Sequence, residues 1–192
     1  MQFLTKYFQF FSKCFQIIRS WLNKTFFKKI PDFIADDEVI IRGVLKPILF
    51  NKKLQEACFL PPPKRGRKDV SLMRHLYSGS DACKRHAKSL KMGPNSEYIG
   101  FAIILCKSIR EEESVVLENG ELLSITIISS PLPNIPFHAD LLYSMPYDED
   151  DEPKTLMRRI ARNLLQKAIF LEDKNRESPF WTGEAVCKEM FK

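Results

Sequence analysis

The sequence predicts an α+β fold: an N-terminal amphipathic helix plus a small antiparallel sheet (a meander near 98–129), packed by helices near 80–91 and 154–171. Three observations predict it. Apolar runs rich in Ile, Leu and Val flank an Asn119-Gly120 pair, which is the strongest short hairpin signal. Segments 80–91 and 154–171 repeat apolar residues every three to four positions, the period of a half-buried helix. The first thirty residues carry six basic side chains and no acidic one, with their apolar residues on one helical face. A chain of 192 residues that is 44% hydrophobic is large enough to build one core of its own. The expected organisation is therefore a basic amphipathic helix over 1–30, serving as appendage or docking segment, and a single α+β domain over 38–192.

Each element has a local reason. At 100° per residue, Phe3, Tyr7, Phe8, Phe11, Phe15, Ile18 and Trp21 share one face, with Lys6, Lys13 and Lys24 set against it. Pro31 ends that pattern, because proline disfavours helical geometry in the residue before it. Val39 to Leu45 reads as a buried strand, and 46–68, with Pro47 and the run Pro61-Pro62-Pro63, as irregular chain. Ser80 is an N-cap, Asp81 suits the first turn, and Gly93-Pro94 closes the helix that follows. Tyr98 to Ile109 reads as a strand, Ser114–Glu118 and Glu121–Ser129 as hairpin arms, and Ser130 to Tyr147 as a long loop. Pro153 opens a helix to about Leu171, and a short helix over about 182–191 finishes the fold.

Charge is unevenly spread. Residues 46–92 hold twelve basic and three acidic side chains, whereas 93–192 hold eleven basic and seventeen acidic. Such asymmetry suits an anionic partner, an internal charge match, or both. Five scattered cysteines without a CxxC pair fit a reducing compartment, so the expected location is the cytoplasm. No run of eighteen apolar residues is present to span a bilayer. Lys6, Lys13 and Arg19 interrupt any secretory core.

Candidate chemistry is sparse. GxSxG, HExxH, GxxxxGK[ST] and GxGxxG are all missing, so no cofactor is expected. Lys64, Arg65, Arg67 and Lys68 place four cations in five residues, a pattern that contacts nucleic-acid phosphates. His138 and Asp140 are the catalytic candidates. No metal is expected: Cys83 and His86 lie three apart on a helix but lack a second ligand pair. The acidic run 148–152 lacks the alternating spacing of a calcium loop.

Three patches carry a resemblance: Ile128 to Asp140, Asp69 to Arg74, and Tyr98 to Ala102. Together they resemble a scattered set of small uncharacterised bacterial proteins that share a strand followed by a P-x-x-N-x-x-H-A-like loop. The resemblance implies a bacterial origin and a shared small fold, and it marks Arg74, Asn134, His138 and Asp140 as the polar residues of interest. The expectation is a non-enzymatic accessory or effector protein. It docks through residues 1–30 to a membrane surface, here the inner membrane face, or to a partner protein, with oligomerisation open. The alternatives are nucleic-acid association through 46–92, and a nuclease or hydrolase of a bacterial conflict system.

Overall fold

The computed structural model describes residues 30–62, 66–90, 92–145 and 151–191. The N-terminal helix expected over 1–30 lies outside the described residues, apart from Ile30. The chain divides into two units, Met1–Pro31 and Asp32–Lys192, and the strands and helices of the described residues all belong to the second.

In chain order the elements are β1 (Val39–Lys46), the short pair β2 (Phe50–Asn51) and β3 (Lys53–Leu54), a 3-10 turn Glu56–Cys58, β4 (Asp69–Arg74), α1 (His75–Ser89), β5 (Glu97–Leu105) and α2 (Cys106–Arg110). Then come β6 (Val115–Val116), β7 (Leu122–Leu123), β8 (Ile125–Ser129), β9 (His138–Tyr143), α3 (Asp151–Lys167), β10 (Ile169–Glu172) and a 3-10 turn Lys188–Phe191. Six strands form one sheet in the order β10-β5-β1-β4-β9-β8, with every neighbouring pair antiparallel. The α+β class therefore holds.

The sheet is covered on both faces, which explains why β1 and β5 are buried along nearly their whole length. On one face Ile40, Val44, Leu72, Ile104 and Leu141 pack against Met157, Ile160, Ala161 and Leu164 of α3 and Ile109 of α2. On the other, Ile41, Met73, Phe101 and Ile103 meet Cys83 and Ala87 of α1 and the C-terminal segment. Trp181 of that segment stacks on Phe101, with ring centroids 4.2 Å apart. Two glycines of the central strands permit close approaches. A Cβ on Gly43 would lie 2.5 Å from the Ala87 Cβ, and one on Gly100 would lie 2.2 Å from the Leu171 carbonyl oxygen.

Several expectations need correction. The meander near 98–129 is absent as such: β5 pairs with β1 and β10, and β8 pairs with β9. The Asn119-Gly120 turn does join two antiparallel arms, β6 and β7, but they form a separate two-stranded sheet. The strand expected to reach Ile109 stops at Leu105, where α2 begins. The helix near 80–91 starts earlier, at His75, and breaks at Gly79 (φ +68°) before resuming at Ser80. The helix near 154–171 ends at Lys167, and Ile169–Glu172 is the edge strand β10. The 130–147 loop contains β9. The C-terminal helix shrinks to the turn Lys188–Phe191.

One end of the sheet is organised by a buried arginine. Arg74 ends β4, and its guanidinium meets Glu38 bidentately, Nε to Oε1 at 2.7 Å and Nη2 to Oε2 at 2.9 Å. Nη2 also donates to the Phe33 carbonyl and Nη1 to Ser129 Oγ, while the Tyr77 ring covers the guanidinium at 4.6 Å. Both side chains of the ion pair are essentially inaccessible. Removing one member strands the other charge in a dry site, which costs about 3–5 kcal/mol. Arg74→Met is expected to lower unfolding stability by that amount in urea titration. The double change Glu38→Leu with Arg74→Met should recover most of it, since two apolar side chains leave no orphan charge.

Candidate functional site

Beyond Ile41 and Met73 the pairing of β1 with β4 lapses, since only Ile40↔Arg74 and Ile41↔Met73 are in register. Arg42 fills the gap. Its Nη1 donates 2.6 Å to the Ser71 carbonyl, and its Nε is buried without a hydrogen-bond partner among the described residues. The strand register places His138 beside Met73 and Asp140 beside Ser71, both on the α1 face of β9. The His86 ring of α1 stands edge-on to the His138 ring, with centroids 6.4 Å apart. A small polar cluster of His86, His138, Asp140 and Ser130 thus sits on the α1 face of the sheet, with Arg42 in the β1–β4 gap, where its charge acts on His86.

His138 is almost fully buried, and its Nδ1 lies 3.0 Å from the Ser130 carbonyl and 2.8 Å from Ser130 Oγ. A carbonyl only accepts, so in the tautomer that meets it Nδ1 carries the proton and the lone pair lies on Nε2. Nε2 faces Asp140 Oδ1 at 3.9 Å, too far for a hydrogen bond. Activation of Ser130 would need the opposite polarity, with a lone pair toward the hydroxyl and the N–H toward the carboxylate. As arranged, the ring clamps the loop that joins β8 to β9. The backbone adds to the clamp through Ser130 N to the His138 carbonyl at 3.1 Å. Burial holds His86 below the ordinary imidazole value, and the nearby His138 and Arg42 push it further down. Burial likewise lowers His75.

Of the other sequence candidates, Phe3, Lys6, Tyr7, Phe8, Phe11, Lys13, Phe15, Ile18, Trp21 and Lys24, together with Lys64 and Arg65, lie outside the described residues. Arg67 and Lys68 are exposed, and Arg67 pairs with Asp69 at 2.5 Å. Three further cations of the basic first half, Arg42, Arg74 and Lys84, are buried. Arg158 and Arg162 of α3 both reach Glu56. Asn134 is exposed at a turn bridged by Leu132 and Ile135. The chain has three residues between Asn134 and His138, one more than the loop pattern of the resemblance. Among the described residues no group of three His, Cys, Asp or Glu side chains is placed to hold a metal ion.

A second buried cation belongs to no motif. Lys84 Nζ meets Asp173 Oδ2 at 2.6 Å and donates to the Asn175 and Phe180 carbonyls at 2.8 Å each. Asp173 also accepts from Thr182 Oγ1, and Asp81 accepts from the Trp181 amide. These contacts clasp the 173–182 segment onto α1. The signal for Lys84 is present in the helical periodicity, which puts it beside Cys83 and Ala87 rather than on the polar face.

No protein-family model matches the chain, nor does any curated protein or solved structure. The reading of the site therefore rests on its own geometry.

These environments have measurable consequences. Burial alone would raise the Asp173 carboxyl, but hydrogen bonds from Lys84 and Thr182 and the Lys84 charge hold it below its ordinary 3.8. A carboxyl lowered on folding contributes stability above its unfolded value and loses it as pH falls through the folded one. Urea midpoints are expected to fall on acidification below pH 3.8, with a shallower fall in Asp173→Asn. Separately, burial pushes the thiols of Cys58 and Cys106 up to about 11 and that of Cys83 to about 12. The thiolate is the reactive form. At about pH 8, below all three values, a disulfide reagent should leave these thiols unmodified in the native chain and modify them in urea, as peptide mass spectrometry would show.

Proposed function

We propose that the protein is a non-enzymatic accessory or effector protein that docks through residues 1–30 on an anionic membrane surface. The observation that supports it is the segment itself: six cations and no anion, with a Phe- and Trp-rich stripe at helical spacing. An apolar face of that kind contributes about 25 cal/mol per Å² buried, and each cation adds about 1 kcal/mol beside anionic lipid. The 32–192 unit carries two apolar clusters and is suited to being the cargo of such an anchor. The clamped His138 and the raised thiols favour this reading over an enzymatic one. The pairing of Arg67, Arg158 and Arg162 with carboxylates favours it over a nucleic-acid one.

Co-sedimentation with phosphatidylcholine–phosphatidylserine vesicles tests the proposal. The full chain is expected in the pellet at low salt, and the Phe8→Ser, Phe11→Ser, Trp21→Ser triple variant in the supernatant. Equal partitioning of the two would overturn lipid docking. Docking on a protein partner would then be the form of the reading left to pursue.

A further inference from the structure

We propose that the outer edge of β8 is a docking edge for a second copy of this chain, pairing β8 with β8 antiparallel about a two-fold axis at Ile127. The backbone leaves room for such a partner. At the two ends of the β8–β9 ladder, Ser130 N donates to the His138 carbonyl and Ser144 N to the Ser124 carbonyl. Antiparallel alternation then directs the N–H and C=O groups of Thr126 and Ile128 toward β9, and those of Ile125, Ile127 and Ser129 away from it. β8 ends the strand order, and among the described residues no hydrogen bond is made by those three outward amides. A second β8 laid antiparallel meets them in full. Ile127 faces its own copy, and Ile125 faces Ser129 in both directions.

The composition of the edge identifies the occupant. Residues 122–137 contain no charged side chain and no histidine, in a chain that is 28% charged. Self-pairing about Ile127 sets 126 against 128 and Ile127 against itself, so a charge at any of these three positions would stand beside its own sign or diagonally across from it, which is destabilising in a sheet. A strip without charge avoids that penalty, and it offers a basic or acidic partner nothing to recognise. The opposite edge differs. β10 ends in exposed Glu172, tied to Arg176, and Lys174 follows. Charge is how an edge strand is kept from pairing.

Apolar exposure points the same way. Ile128 on the edge is 39% exposed, and the adjoining cross-strand pair Val116 and Leu122 are 67% and 52% exposed. Strand pairing alone covers less than the about 1,200 Å² of a stable interface. Of these, Ile128 stands on the paired strand itself and supplies further area. A two-fold pairing uses the β8 edge of both copies and so closes at a dimer.

Sedimentation velocity of the full chain across a concentration series tests this. The expected species is a dimer that dissociates on dilution. In Thr126→Lys with Ile128→Lys, each new lysine stands beside one of the partner copy. Dimerisation should weaken by about a hundredfold or more. Both positions are exposed, so the melting temperature should hold. Amide exchange gives a second measure that needs no variant. Protection at Ile125, Ile127 and Ser129 should rise with protein concentration. A chain that stays monomeric, a dimer that survives both lysines, or exchange at those amides independent of concentration would each overturn the proposal.

Discussion

The guanidinium of Arg74 has left water completely, and that constraint organises one end of the molecule. A charge in a dry site must be met by an opposite charge and by acceptors for its remaining N–H groups. Glu38 supplies the charge from the residue before β1, and the Phe33 carbonyl and Ser129 hydroxyl supply acceptors. Each partner comes from a different part of the chain, so satisfying one side chain fixes several segments together. Glu38 sets where β1 enters, Ser129 where β8 ends, and Phe33 how the preceding loop turns. The backbone joins in, because Arg74 N donates to the Phe137 carbonyl just before β9. A buried pair of this kind adds little net stability over an apolar pair of the same volume. Its contribution is position: any other arrangement of these segments leaves a charge unmet.

Lys84 has the corresponding role on the other face. Its ammonium has three acceptors, all from the 173–180 segment, and with the Asp81 and Lys88 contacts it brings irregular chain down onto α1. These two cations change the meaning of the charge distribution. The strong basic excess of 46–92 looks like a footprint for polyanions. Yet Arg74 and Lys84, like Arg42 just before them, place their charge inside the fold. The sequence dipole is thus partly an internal match, with Lys84–Asp173 joining the basic stretch to the acidic half directly.

Legibility from sequence followed how local the cause was. β1 was legible because a strand buried on both faces reads as an unbroken apolar run; the Ser80 cap was not, since the helix already begins at His75 and Ser80 only follows its break at Gly79, with its hydroxyl on His75 Nε2. The β6–β7 hairpin followed from its turn pair. β9 was hidden by three prolines just before it, and by the His138 and Asp140 that its α1 face carries in place of apolar residues. β10 was hidden because Ala168, Ile169 and Leu171 continue the helical phase of α3. Only the outer edge of β5, and the room left by Gly100 for the Leu171 carbonyl, turns them into a strand. The meander failed for a related reason. Neighbours in sequence are the default strand partners, but here β5 finds β1, far back in the chain. At the candidate site, Arg42 and Arg74 inside apolar strands were the readable signal for buried charge. Their partners were not readable, since pairing depends on the strand order.

The clamp at His138 also bears on the sheet edge. By holding Ser130 through both its side chain and its carbonyl, the buried imidazole fixes the residue after which β8 can extend no further. Arg74 holds Ser129 from its own side of the strand. The end of β8 is therefore gripped at two successive residues, and its outward amides stand in a defined row instead of fraying. An edge strand left loose offers an approaching strand a choice of registers, and slippage follows where one face is not buried. Here Ile127 is buried on the α3 face while Ile128 is exposed on the other, so a slip of one residue would exchange them. The polar cluster that looked like chemistry thus has a mechanical consequence. It keeps an uncharged edge straight, in register and presented, which are the conditions under which strand addition is specific.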